Sequence, residues 1–135
     1  MIRLFLIASL AMFATTPAYA AGDCANAQDQ TTMDVCASEA FKKSDKQLNE
    51  LYKQISTRLT DDADKTKLLV TAQRAWVAFR DAECAFSASG VAEGSAYPMI
   101  HSMCLDGLTQ TRTKDLQTYL ACEEGDLSCP VPSAQ

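Results

Sequence analysis

Six cysteines in a chain of 135 residues, all placed after an export signal, constrain this protein more than any other feature. Met1-Ile2-Arg3 is a short basic start, and Leu4 to Ala14 is apolar apart from Ser9. Ala18-Tyr19-Ala20 is a small-x-small cleavage site ahead of Ala21. This pattern predicts a signal peptide over residues 1–20, cleaved after Ala20, because the apolar run is too short to span a membrane. No cysteine stands at the cut, so no lipid anchor is expected, and the mature product is expected to be soluble in the periplasm. Cys24, Cys36, Cys84, Cys104, Cys122 and Cys129 then enter an oxidising compartment. An even cysteine count in an exported chain reads as a disulfide framework. Proximity along the chain pairs Cys24 with Cys36, Cys84 with Cys104 and Cys122 with Cys129. A tail cysteine crossing to Cys24 or Cys36 stays open.

The 115 residues from Ala21 to Gln135 suit one domain. Apolar positions after Met33 recur mostly every three or four residues through Cys36, Ala40, Phe41, Leu48, Leu51, Tyr52, Ile55 and Leu59. That spacing predicts an amphipathic helix, with Thr31 or Thr32 as its cap and Asp34 completing a capping box. Asp61, Asp62 and Asp64 break the pattern and suit the start of a second helix, through capping and the helix dipole. This helix is expected from about Ala63 to about Phe86. Its predicted apolar face holds Leu68 or Leu69, Ala72, Trp76, Phe79 and Phe86. Trp76 is the only tryptophan, and Arg80 shares its face one turn on. Gly90, Gly94 and three serines mark residues 87–95 as a loop. Pro98 then sits in the first turn of a third helix carrying Ile100, Met103, Cys104, Leu108, Leu116 and Leu120. Residues 122–135 read as a tail tied back by a disulfide. The expected fold is all-α, a small disulfide-stapled three-helix domain over residues 21–121 followed by that tail.

Enzyme chemistry finds little support. The chain has no GxSxG elbow, no phosphate-binding glycine loop and no HExxH run. It has no CxxC pair and one histidine, so neither zinc nor thiol redox chemistry is indicated, and no metal or cofactor is expected. His101 has no evident nucleophile beside it and reads as a partly exposed residue in a first helical turn. Asp81 and Glu83, two apart on a helix, point to different faces and do not suit an acid/base pair. Arg80 and Arg112 stand at the edges of apolar faces. Either they clamp a ligand, or they pair between helices with Asp45 or Glu83. Pairing is the reading taken, because an unpaired charge beside a core is unfavourable. The mature chain holds 11 basic and 17 acidic residues, net −6. That balance disfavours nucleic acid, whose phosphates need basic contacts, and allows steering toward a basic partner.

Taken together the motifs resemble a known pattern. Cys24, Cys36 and Asp45-x-x-Leu48-Asn49-x-x-Tyr52 form its first half. Ala72-Gln73-Arg74-Ala75-Trp76, Phe79-Arg80-Asp81 and Cys84 form its second, continued by Gly94-Ser95, Cys104 and Arg112-x-x-x-Leu116. The whole is similar to the LprI-type lysozyme inhibitor domain family of exported bacterial proteins, over about Cys24 to Leu120. Cys122 and Cys129 lie outside that pattern. The resemblance implies a helical periplasmic protein whose named activity is inhibition of lysozyme, with lysozyme or another cell-wall hydrolase as partner. A periplasmic interaction module, or an immunity-type protein with a different partner, is the rival reading. The expected binding head is the loop from Ser87 to Tyr97 with the start of the third helix. There Ser87, Ser89 and Ser95 offer hydroxyls, Tyr97 an aromatic anchor, and Glu93 and His101 polar contacts. The acidic cluster at Asp61, Asp62 and Asp64 is the competing site.

Overall fold

A computed structural model describes residues 24–133; the expected signal peptide lies outside them. Three long helices carry the fold, α1 over Gln30–Arg58, α2 over Ala63–Ser87 and α3 over Tyr97–Leu120. Short 3-10 turns occupy Cys24–Asn26 and Ser89–Val91, and no strand occurs among the described residues. No described helix is long and apolar enough to cross a membrane.

Contacts at the helix ends fix the topology. Gln30 of α1 reaches Met99 near the start of α3, and Arg58 Nη1 donates to the Leu120 carbonyl at 2.8 Å. Hence α1 and α3 run parallel. The Thr66 hydroxyl donates to the Leu59 carbonyl at the start of α2, and Cys84, near its end, bonds Cys104 of α3. Hence α2 runs antiparallel to both.

The helix starts follow local capping chemistry. For α1 the cap is Asp29 rather than Thr31 or Thr32: its carboxylate accepts from the Thr32 amide at 2.9 Å and the Thr32 hydroxyl at 2.6 Å. Thr32 is the donor here because a carboxylate is the stronger acceptor for orphan amides. Asp62 caps α2 by accepting from the Lys65 amide at 3.0 Å, as the acidic cluster predicts. These hydrogen bonds hold the Asp29 and Asp62 carboxyls below their ordinary value, Thr32 being the main cause at Asp29 and the Lys65 amide at Asp62.

The core differs from the apolar pattern in three places. On α1 the buried residues are Ala37, Ser44, Leu48 and Ile55, with Leu59 just after it. On α3 they are Leu105, Thr109, Thr113 and Leu116. Small and hydroxylated residues hold much of this seam, which allows α1 and α3 to approach closely. Their hydroxyls are satisfied within the helix, Ser44 by the Phe41 carbonyl and Thr113 by the Thr109 carbonyl. Met103, expected inside, is 57% exposed. On α2 the inward face carries Leu69, Trp76, Arg80 and Cys84, while Phe79 and Phe86 turn outward.

The three disulfides follow the proximity pairing, Cys24–Cys36, Cys84–Cys104 and Cys122–Cys129, and no described cysteine is free. Such bonds fit an oxidising compartment. The segment after α3 also contributes to the core. Gly125, at φ 90°, turns the chain between the last two cysteines, a conformation that favours glycine. Val131 then buries itself against Leu48, Ile55, Leu59 and Leu116. Arg58 ties the return down, its Nη1 also lying 3.4 Å from the Pro132 carbonyl.

Candidate functional site: an arginine hub and a disulfide-framed loop

Arg80 is the charge about which the three helices meet. Its side chain is buried, the residue being 8% exposed. Nη1 donates to Asp45 Oδ1 of α1 at 3.1 Å and lies 3.5 Å from the Thr109 hydroxyl of α3. Nε and Nη2 both meet Asp81 Oδ1 at 2.9 Å. The guanidinium also stands over the Phe41 ring at 5.2 Å and the Trp76 ring at 5.3 Å. Burial of this cation is tolerable because its fork is saturated by two carboxylates and its faces by two aromatic rings. The inter-helix pair expected for Arg80 is therefore Arg80–Asp45.

Arg112 departs from that expectation. Its Nε donates to Gln73 Oε1 of α2 at 3.2 Å, and its Nη1 lies 3.6 Å from Asp115 on its own helix. A neutral amide serves the inter-helix contact, so no Asp45 or Glu83 is needed. Glu83 is exposed and forms no ion pair among the described residues. Asp81 is occupied by Arg80, which leaves no acid/base pair with Glu83.

The motif residues from the two halves of the chain converge. Asp45, Leu48, Asn49 and Tyr52 of α1 face Gln73, Arg74 and Arg80 of α2 across a groove of about 480 Å³. Asn49 donates to Asp45 at 3.0 Å, fixing the carboxylate that Arg80 uses. Trp76 packs half-buried against the core and Leu116 is fully buried within it. Phe79 does not join them and is 53% exposed. Among the described residues no group of three or more His, Cys, Asp or Glu side chains is placed to hold a metal ion.

The loop predicted as a binding head lies at one end of the bundle. Cys84–Cys104 brackets it, with Cα atoms 5.5 Å apart. Inside the bracket the backbone is continuously hydrogen-bonded: Val91 to Ala88 at 3.1 Å, Gly94 to Val91 at 2.8 Å, and Tyr97 to Gly94 at 3.1 Å. Ala88 is fully buried beneath it. Gly94 is needed for contact rather than for a left-handed turn, since a Cβ there would meet the Val91 carbonyl at 3.3 Å. A Cβ at Gly90 would meet nothing, and neither glycine has positive φ. Ser87, Ser89, Glu93 and Ser95 are exposed on this loop. Tyr97 opens α3 and stacks on His101, ring centroids 5.3 Å apart and planes 18° apart, so both are partly buried. The competing acidic cluster lies at the opposite end of α2, where Asp62 is already engaged as cap and in an ion pair with Lys65 at 3.3 Å.

These features define a class: a small, disulfide-stapled, all-helical domain with a saturated arginine at its centre and a rigid loop at one end. The chain belongs to the family described as lysozyme inhibitor LprI, whose profile matches residues 22–116. It is 32% identical over 130 residues to the uncharacterized protein R02472 of Rhizobium meliloti (strain 1021), covering 86% of this chain and 94% of that one. It is 30% identical over 115 residues to the uncharacterized protein YecT of Escherichia coli (strain K12), covering 73% and 71% respectively. No solved structure matches the chain.

Proposed function

We propose that this protein is a periplasmic, non-catalytic inhibitor that binds a cell-wall hydrolase of the lysozyme type through the loop from Ser87 to Tyr97. Membership of the lysozyme inhibitor LprI family supports the activity. The observation that carries the choice of surface is the loop's construction, bracketed by Cys84–Cys104 and hydrogen-bonded along its backbone. Such a segment loses little further freedom on binding, so more of its contact energy appears as affinity. Lysozymes cleave glycan with two carboxylates in an open cleft. The hydroxyls of Ser87, Ser89 and Ser95 can donate to carboxylates, and Glu93 suits a basic rim. The negative balance of the chain speeds encounter with a basic enzyme and adds less to affinity.

The test is turnover of cell-wall substrate by lysozyme with the purified, oxidised protein added. Inhibition at micromolar protein is expected. Ser95→Ala and Tyr97→Ala are expected to raise the dissociation rate, while neutralising Asp61, Asp62 and Asp64 slows association and flattens its salt dependence. Undiminished lysozyme activity at that concentration would move the search to a pull-down from periplasm and to the immunity-type reading.

A further inference from the structure

α2 carries a second apolar face that the bundle does not use. Leu68, Ala72, Ala75, Phe79, Ala82 and Phe86 follow one another at steps of four and three, the spacing of a coiled-coil seam. All six are exposed, Leu68 at 69% and Phe86 at 76%. A face of this kind, running the length of a helix, marks an interaction surface.

We propose that this face is the interface of a two-fold dimer in which α2 pairs antiparallel with α2 of a second copy. Two observations select a second copy as occupant. The first is self-complementary shape. Centring the pair near Val77 sets Leu68 against Phe86, Ala72 against Ala82, and Ala75 against Phe79 of the partner copy, so the central phenylalanine always meets an alanine. The second is the charge order along the helix. Lys67 and Arg74 stand in its first half, Asp81 and Glu83 in its second. Lys67, Arg74 and Glu83 form no ion pair among the described residues, and Asp81 uses only Oδ1 for Arg80. Asp64 stands in the first turn, where the helix dipole favours it. Antiparallel pairing lays the basic half on the acidic half. A parallel pair would oppose like charges. The proposal is independent of the inhibitory loop. α2 is about 37 Å long at about 1.5 Å per residue, so the two loops would project from opposite ends of the dimer, both free.

Sedimentation equilibrium of the oxidised mature protein at high micromolar concentration is the test. A mass twice that of one chain is expected. Phe79→Glu is expected to give a single-chain mass with unchanged helical circular dichroism. Ala75→Glu and Phe79→Lys each set a charge against an apolar seam residue of the other copy, and each is expected to weaken its own homodimer at least tenfold. Mixed together, those two variants set the new carboxylate opposite the new ammonium at one 75–79 contact and leave phenylalanine on alanine at the other, and they are expected to dimerise with each other. Overturning results are a monomeric wild-type protein, a Phe79→Glu variant that stays dimeric, or charge variants that fail to rescue one another while remaining folded. A monomeric wild-type protein whose hydrolase inhibition is lost in Phe79→Glu would assign the face to the hydrolase instead.

Discussion

Arg80 concentrates more of the tertiary structure than any other side chain. Removing it leaves Asp45 without its inter-helix cation and takes away the contacts with Phe41 and Trp76. Breaking a buried pair typically costs about 3–5 kcal/mol, and the 37% exposure of the Asp45 side chain places the expected loss for Arg80→Ala near the lower end, about 3 kcal/mol. Arg80→Lys should not rescue it, because an ammonium can neither fork to two carboxylates nor stack flat on two rings. Urea denaturation of both variants checks this, and a cycle with Asp45→Asn should show coupling between the two sites. Trp76 and Phe79 separate what their sequence pattern joined. Trp76→Ala is expected to cost about 2–3 kcal/mol, below the value for a fully buried aromatic. Phe79→Ala should change the stability of dilute protein by no more than about 0.5 kcal/mol, as for exposed sites. That Arg80 pairs between helices was legible in the sequence, because a charge beside an apolar stripe needs a partner; the choice of Asp45 over Glu83 was not. The Arg112 contact was not, because a glutamine amide can serve equally and leaves no charge signal.

At the level of elements, the number and extent of the helices were legible and their inward faces only partly so. Apolar periodicity places α1, α2 and α3 within a few residues. It does not reveal that the α1–α3 seam is built on Ala37, Ser44, Thr109 and Thr113, because close backbone approach selects small residues whatever their polarity. On α2 two apolar stripes compete, and hydropathy cannot tell which one turns inward. The return of Val131 to the core was equally hidden, since one valine between prolines carries no period. Its burial predicts that Val131→Asp destabilises the bundle by placing an unpaired carboxylate against Ile55 and Leu116, measurable as a lowered Tm. Losing the Cys84–Cys104 bond should cost about 3 kcal/mol and loosen the loop it brackets. The caps predict a pH effect. Asp29 and Asp62 carboxyls lie below the ordinary value of 3.8, so their contribution is fully present above that pH. It is lost as pH falls through the lowered folded values, when protonation removes the acceptor from the Thr32 and Lys65 amides. Amide protection in the first turns of α1 and α2 should therefore fall at the acid end, before protection in the middle of either helix.

At the scale of the molecule, the disulfides and the arginine hub do complementary work. The bonds close the two chain ends and the head of the bundle, while the hub registers α2 against α1 and α3. The resulting scaffold brackets a short loop without a large core, as suits a modest disulfide-bonded domain. The bracketed loop at the α2–α3 connection was legible, because glycines and serines between two cysteines signal it. The stacking of Tyr97 on His101 was not, because four-residue spacing joins many residue pairs and ring geometry is invisible in sequence. Tyr97 is therefore partly committed to its own helix, and the exposed serines with Glu93 are the free residues of the proposed head. On the proposed function, this loop engages a lysozyme-type hydrolase. That engagement is tested most directly by the dissociation rate of the oxidised protein from immobilised lysozyme, with wild type compared against Ser95→Ala and a Cys84→Ala/Cys104→Ala variant shown by circular dichroism to stay helical. Micromolar or tighter binding that inhibits the enzyme is expected, with faster release in both variants. Absence of binding by the wild-type protein, or release rates that neither variant changes, would contradict it.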